Sequence, residues 1–188
     1  MTGVQTCALP ISLTLGEQIV SVNSFSKYFG MTGWRLGWLV LPLELVAPVE
    51  KLAQNLYICP STLAQHAALA CFDADSIVEY ESRRVELQRR RDYCVAALSG
   101  MGLPVPVQPD GAFYAWFDCS RYNASSWDFC QHMMQRAHVA LTPGRDFGPA
   151  FADRFVRLSF ASSMAQLQTA MQRLQRELAS APAAQKHR

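Results

Sequence analysis

Two apolar, β-forming runs, Glu17–Phe25 (EQIVSVNSF) and Trp34–Leu41 (WRLGWLVL), enclose a stretch that can be neither strand nor helix. Gly30 and Gly33 break any regular structure across Lys27–Gly33. The chain must therefore leave one buried strand, make an irregular excursion and return as a second strand that Pro42 ends. That excursion, SFSKYFGMTGWRLGW, carries a single lysine, Lys27, preceded by the hydroxyls of Ser24 and Ser26 and followed by Arg35.

Downstream punctuation organises the rest. Pro42 opens a helix to about Tyr57 with Leu45, Val49, Leu52 and Leu56 on one face. Cys59-Pro60-Ser61 separates it from an Ala-rich helix over 62–72. Asp75 or Ser76 caps a long helix over 77–98, with Val78, Glu81/Ser82, Val85, Tyr93 and Leu98 near an apolar stripe, and Gly100 and Gly102 stop it. Strands are expected at 105–107 and 112–117, joined through the turn signal Pro109-Asp110-Gly111. A helix capped by Ser125 or Ser126 should run to about Ala137, followed by a short strand at 139–141, a strand at 155–160 and a helix at 164–179 capped by Ser163. The order is an α/β start followed by an α+β unit.

The balance of 17 Lys+Arg against 15 Asp+Glu gives a net charge of +2, which builds no field for nucleic acid or an anionic membrane. Arg89–Arg91 reads as a solvated helix face beside Glu79, Glu81 and Glu86. No apolar stretch is long enough to span a bilayer. The cysteines at 7, 59, 71, 94, 119 and 130 and the histidines at 66, 132, 138 and 187 show no metal-ligand spacing, so no metal is expected. Reduced thiols in a cytoplasmic protein are the expected state. Residues 1–12 carry no secretion signal. Val4–Ile11 (VQTCALPI) matches the translation of a sequencing-adapter end, so this segment is read as an artefactual or disordered leader, and the chain as a fragment. Residues 181–188 are a frayed tail.

In chemical terms, a lysine among apolar and glycine residues loses hydration, which favours its neutral, nucleophilic amine. Serine hydroxyls and an arginine fork suit a phosphate. Together they suit an aldehyde that also carries a phosphate, which describes pyridoxal phosphate; on residue types alone, a solvated loop lysine is an equal reading. Arg157 lies inside the apolar strand FVRLSF, where a guanidinium needs an anionic partner, either a structural ion pair or a bound carboxylate. Arg145 and Arg154 are read as solvated, and His66 as making a structural hydrogen bond.

The order of residues goes further. SFSKYFGMTGWRLGW resembles, nearly position by position, the S-x-[SA]-K-x-F-x-M-T-G-W-R-x-G segment of class I/II aminotransferases, the family of the aspartate aminotransferase fold. Pro109–Asp118 (PDGAFYAWFD), Ala140–Gly148 (ALTPGRDFG) and Phe155–Ser163 (FVRLSFASS) resemble later segments of that family, in the same order. The resemblance implies a type I pyridoxal-phosphate-dependent α/β fold, of which this chain is the C-terminal half. Residues 13–60 would end the large cofactor-binding domain and 61–180 would form the α+β small domain.

It further implies that Lys27 forms the Schiff base with pyridoxal 5'-phosphate, that Ser24, Ser26 and Arg35 bind the cofactor, and that Arg157 grips the substrate α-carboxylate. An amino group would pass between an amino acid and a 2-oxo acid, in an enzyme that is a homodimer when whole. The family's aspartate for the pyridine nitrogen lies well before its lysine, and only Glu17 precedes Lys27 at all closely here. The isolated chain is therefore expected to be nearly inactive. Two alternatives share these residues: a C–S β-lyase of the same fold, and a non-catalytic aminotransferase-like regulatory domain.

Overall fold

The computed structural model describes residues 14–180; the readings of residues 1–12 and 181–188 fall outside the described residues. The chain divides into two compact units, one reaching Arg84 and one starting at Val85, and the division falls inside a helix.

In the first unit, β1 (Ser21–Ser24) and β2 (Gly37–Val40) pair antiparallel, with Ser24 opposite Gly37 and Ser21 opposite Val40. Both are shorter than the sequence suggests, and neither is buried. The excursion between them returns through a 3-10 turn, Thr32–Trp34, which takes Trp34, the residue expected to begin the second strand. Gly37 is obligatory for the pairing, because a Cβ there would run into the backbone oxygen of Asn23. Gly37→Ala should destabilise the protein by about 1–3 kcal/mol, read as a lowered urea midpoint.

Beneath the excursion, Phe25, Met31, Ala68 and Cys71 form a small core, packed by Phe29, Leu36, Trp38, Ala67 and Tyr80. Helix α1 (Leu43–Leu56) follows Pro42 as expected, yet none of its residues is buried, and Leu52 and Leu56 lie exposed on the stripe. Amphipathic spacing made the helix legible; it could not say that the described residues leave Leu45 and Val49 only half-buried and Leu52 and Leu56 exposed. Ser61 accepts from the Ala64 N–H to cap α2 (Thr62–Leu69), which tightens into a 3-10 turn, Ala70–Phe72.

Helix α3 (Ala74–Gly100) starts before both expected caps. Val78 and Val85 of its proposed stripe are exposed, and its buried residues are Cys94 and Leu98. Its outer surface is laced by i,i+3 and i,i+4 ion pairs: Glu79 with Arg83, Glu81 with Arg84, and Glu86 with both Arg89 and Arg90. Arg91 pairs with Asp92 and donates to the Pro109 carbonyl, so each arginine of the run has a local acceptor.

The second unit is built on a sheet of β3 (Tyr114–Asp118), β4 (Thr142–Pro143) and β5 (Phe155–Ser159), in the order β3-β5-β4 and antiparallel throughout. Alternation turns Ala115, Phe117, Val156 and Leu158 into a core shared with Leu98, Leu103, Phe129, Phe160, Leu167 and Leu174. Two expected strands are displaced. No strand forms at 105–107, where Pro104, Pro106 and Pro109 remove donors from the ladder. The strand expected at 139–141 forms instead at Thr142–Pro143, because residues 138–139 are spent leaving the preceding helix: His138 adopts φ 53° and Val139 N–H bonds back to Met133.

That helix, α4 (Ser126–His132), continues as a π turn, Met133–Ala137. Ser125 caps it, while Ser126 is fully buried, donating to the Ala152 carbonyl and accepting from Gly144 N–H. Helix α5 (Met164–Ser180) opens with a reciprocal capping box, Gln166 N–H to Ser163 Oγ and Ser163 N–H to Gln166 Oε1.

Arg154, expected to be solvated, pairs at 2.6 Å with the buried Asp118. Burial pushes the Asp118 carboxyl up, but hydrogen bonds from Ser120 and the Arg154 ion pair outweigh it and hold the group below its ordinary 3.8. A carboxylate depressed on folding contributes stability that is present above its unfolded value and lost as pH falls through its folded one. Asp118→Ala should therefore cost about 2–3 kcal/mol at neutral pH, and urea titrations should find that difference shrinking below pH 3.8.

Candidate functional site

Four of the five sequence-derived site residues share one loop of the first unit. Phe25 N–H donates to the Leu36 carbonyl at 3.1 Å, extending the β1–β2 ladder and closing the loop at its base. Met31 N–H returns to the Phe25 carbonyl at 3.0 Å, and Gly30 N–H donates to the Lys27 carbonyl at 3.1 Å. Gly30 makes that turn at φ 67°, a conformation costly for other residues. Thr32 Oγ1 donates to the Ser26 carbonyl at 2.7 Å and ties the two limbs together.

Ser24 Oγ accepts from Ser26 N–H at 3.0 Å, which leaves the Ser24 hydroxyl proton able to donate elsewhere. Arg35 caps the 3-10 turn in the left-handed region at φ 54°, and its Nη1 donates to the Thr32 carbonyl at 3.1 Å. A non-glycine residue held there stores about 1–2 kcal/mol of backbone strain, of the kind found at ligand-binding positions. Lys27, Ser24 and Arg35 are exposed and Ser26 is half-buried. The apolar enclosure expected around Lys27 is therefore not supplied by the described residues; the aromatic side chains of its neighbourhood pack beneath the loop instead.

The residue after the lysine is anchored. Tyr28 Oη donates to Glu81 Oε1 at 2.7 Å, and Arg84 Nε donates to Glu81 Oε2 at 2.7 Å. Burial and this hydrogen bond push the Tyr28 phenol up to about 12, while Arg84 first and Tyr28 second hold the Glu81 carboxyl below its usual range. Residues 53 apart make this contact, and no local sequence signal announces it.

Arg157 stands in the second unit, on the central strand β5, opposite Trp116 and Thr142. Its guanidinium carbon lies 4.2 Å from the centre of the Tyr114 ring and 4.5 Å from that of Phe147. The two rings fix the guanidinium within cation–π distance. Trp116 packs edge-on against Phe147 at 5.1 Å and stacks with Phe155 at 5.9 Å, so the sheet face around the arginine is aromatic. Among the described residues Arg157 has no ion pair, and its Nε is the buried side-chain polar atom without a hydrogen-bond partner. Among the described residues, then, the structural ion pair, one of the two sequence readings, is not made. An orphaned buried donor costs about 1–3 kcal/mol and calls for a ligand.

Arg145, also read as solvated, is exposed but lies 3.2 Å from the centre of the Trp127 ring. His66 is exposed. Among the described residues no group of three His, Cys, Asp or Glu is placed to hold a metal, and no helix is long and apolar enough to cross a membrane.

Residues 4–174 match the family described as aminotransferase class I and II. The chain is 38% identical over 155 residues to a valine–pyruvate aminotransferase of Mycobacterium tuberculosis, covering 82% of this chain and 40% of that protein. It is 38% identical over 163 residues to an aspartate aminotransferase of Pyrococcus abyssi, covering 86% and 41%. An aminotransferase structure from Mycobacterium tuberculosis superimposes with a TM-score of 0.86 at 37% identity, covering 89% of this chain and 43% of that one. An aromatic aminotransferase from Pyrococcus horikoshii gives 0.79 at 38%, covering 85% and 43%. The chain thus spans about two fifths of the length of the curated relatives it matches. On sequence and fold together, it belongs to the class I and II aminotransferases, and it carries part of their type I pyridoxal-phosphate-dependent fold.

Proposed function

We propose that this chain is the C-terminal portion of a pyridoxal-phosphate-dependent aminotransferase that moves an amino group between an amino acid and a 2-oxo acid. The observation that carries the reading is the donor set on the hydrogen-bonded loop over 24–35: an amine, a free-to-donate serine hydroxyl and a guanidinium on one fixed excursion. That set fits an aldehyde bearing a phosphate. Pyridoxal phosphate, when bound, supplies the aldehyde that receives amines and the ring that takes up the electron pair left at the substrate Cα.

Lys27 Nζ would hold the aldehyde end covalently and, once released by the incoming substrate amine, act as the base that removes the Cα proton. Arg35 and the Ser24 hydroxyl would hold the phosphate by charge-assisted hydrogen bonds, and Ser26 would support them through its backbone and its own hydroxyl. Arg157 would orient the substrate by donating to its α-carboxylate from a guanidinium already held beside the Tyr114 and Phe147 rings. The buried Nε gains its missing acceptor in that complex.

Kinetics of an enzyme that supplies the remaining length of its relatives test this reading. An amino acid alone should release one 2-oxo acid per site and then stop, and a second 2-oxo acid should restart turnover, giving ping-pong kinetics. Continuous release of ammonia without a second oxo acid would assign the site to a lyase instead. The 188-residue chain by itself should transaminate negligibly, since exposed Lys27 lacks the enclosure its chemistry requires. Measurable turnover by the purified chain would contradict that.

A further inference from the structure

We propose that Tyr28 and Glu81, steadied by Arg84, are positioning residues that hold Lys27 in working orientation. The inference rests on the reading of Lys27 as the cofactor lysine and adds Tyr28, a position the motif leaves open, with Glu81 and Arg84, which lie outside it. Lys27 itself is exposed, and the backbone on its C-terminal side is fixed by the residue that follows it. Tyr28 is pinned at its hydroxyl by Glu81 at 2.7 Å and at its ring by Phe29 and Tyr80, at 5.1 and 5.4 Å.

Phe29 in turn packs on Phe25, Trp38, Phe72 and Tyr80. Any rotation about the backbone of Lys27 must swing Tyr28 and break its bond to Glu81. Glu81 is itself constrained, since its second oxygen is held by Arg84 at 2.7 Å, one turn along α3. Both oxygens of one carboxylate are thus occupied, one by the lysine loop and one by the helix. Phe25 and Met31 also tie the loop to the unit through their core with Ala68 and Cys71, whereas Thr32 to Ser26 and Gly30 to Lys27 are internal; of the outward ties, that of Tyr28 adjoins Lys27 directly.

The test compares Tyr28→Phe, Glu81→Leu, the double variant and Glu81→Gln in the cofactor-loaded, full-length enzyme. Each of the first two should lower kcat about tenfold, as expected for a slight misplacement of a catalytic group, while KM for the amino acid moves by less than about twofold. The double variant should be no worse than either single one, because both break the same contact. Glu81→Gln keeps a carbonyl oxygen for the Tyr28 hydroxyl and should retain most of kcat, which also separates positioning from folding. Wild-type kcat in Tyr28→Phe, or losses that multiply in the double variant, overturns the proposal.

Borohydride trapping separates the two readings. Cofactor fixed to Lys27 in enzyme whose kcat ignores these substitutions overturns the positioning role alone. Cofactor not fixed to Lys27 in the parent enzyme overturns the reading beneath it.

Discussion

Replacing Lys27 by alanine in the full-length enzyme should lower kcat by at least about 10³-fold, since on the proposed reading one residue would supply both the covalent hold on the cofactor and the base for the substrate Cα proton. Positioned acid–base catalysis alone contributes roughly 10²–10⁴-fold. The fold should not notice the change. Lys27 is exposed, on a loop whose shape is set by backbone bonds from Phe25, Gly30 and Met31 and by the Thr32 hydroxyl, none of which uses the lysine ammonium. Unfolding stability should therefore stay within about 0.5 kcal/mol of the parent. Arg35→Ala offers the contrast: weaker retention of pyridoxal phosphate, with kcat largely restored at saturating cofactor. A Lys27→Ala enzyme with full turnover would remove the basis for every role assigned to the loop.

Arg157→Gln should separate activity from stability in the opposite sense to an ordinary core substitution. On the proposed reading the variant loses the planar fork that would grip a carboxylate, and kcat/KM for the amino acid should fall about 10²–10³-fold, roughly 3–4 kcal/mol. Arg157→Lys keeps the charge without the fork and should still lose at least about tenfold. Stability responds to two opposed changes. The glutamine removes the unpartnered buried Nε, and it also removes the guanidinium stacked on Tyr114 and Phe147. These offset, so the net shift should lie within about 1 kcal/mol. A structural arginine would behave differently, losing several kcal/mol of stability while kcat/KM followed only the folded fraction. Parallel urea unfolding and steady-state kinetics distinguish the two.

What was legible in the sequence depended on local punctuation. Gly30, Gly33 and Pro42 delimited the lysine excursion, Cys59-Pro60-Ser61 separated two helices, Ser125 and Ser163 marked helix starts, and FVRLSF was legible as a strand carrying Arg157. Each signal acts within a few residues, where propensity and capping are decided. Contacts between distant segments left no such mark. The Tyr28–Glu81 bond, the Asp118–Arg154 pair and the Phe147 ring over Arg157 arise only once the chain has folded.

Burial was the other gap. Apolar spacing identified α1 correctly as a helix but implied a buried face, and the same reasoning put Lys27 in apolar surroundings that the described residues do not provide. A pattern specifies which face can be buried, and a separate surface must exist to bury it. The displaced strand at 142–143 has a related cause: short apolar runs do not encode how much chain the preceding helix needs in order to end.

The account turns on where the cofactor attaches. Full-length enzyme loaded with pyridoxal phosphate, reduced with borohydride and digested should yield one modified peptide by mass spectrometry, tagged on Lys27. An enzyme that transaminates normally while the tag sits on another lysine, or on none, would contradict the assignment of this loop.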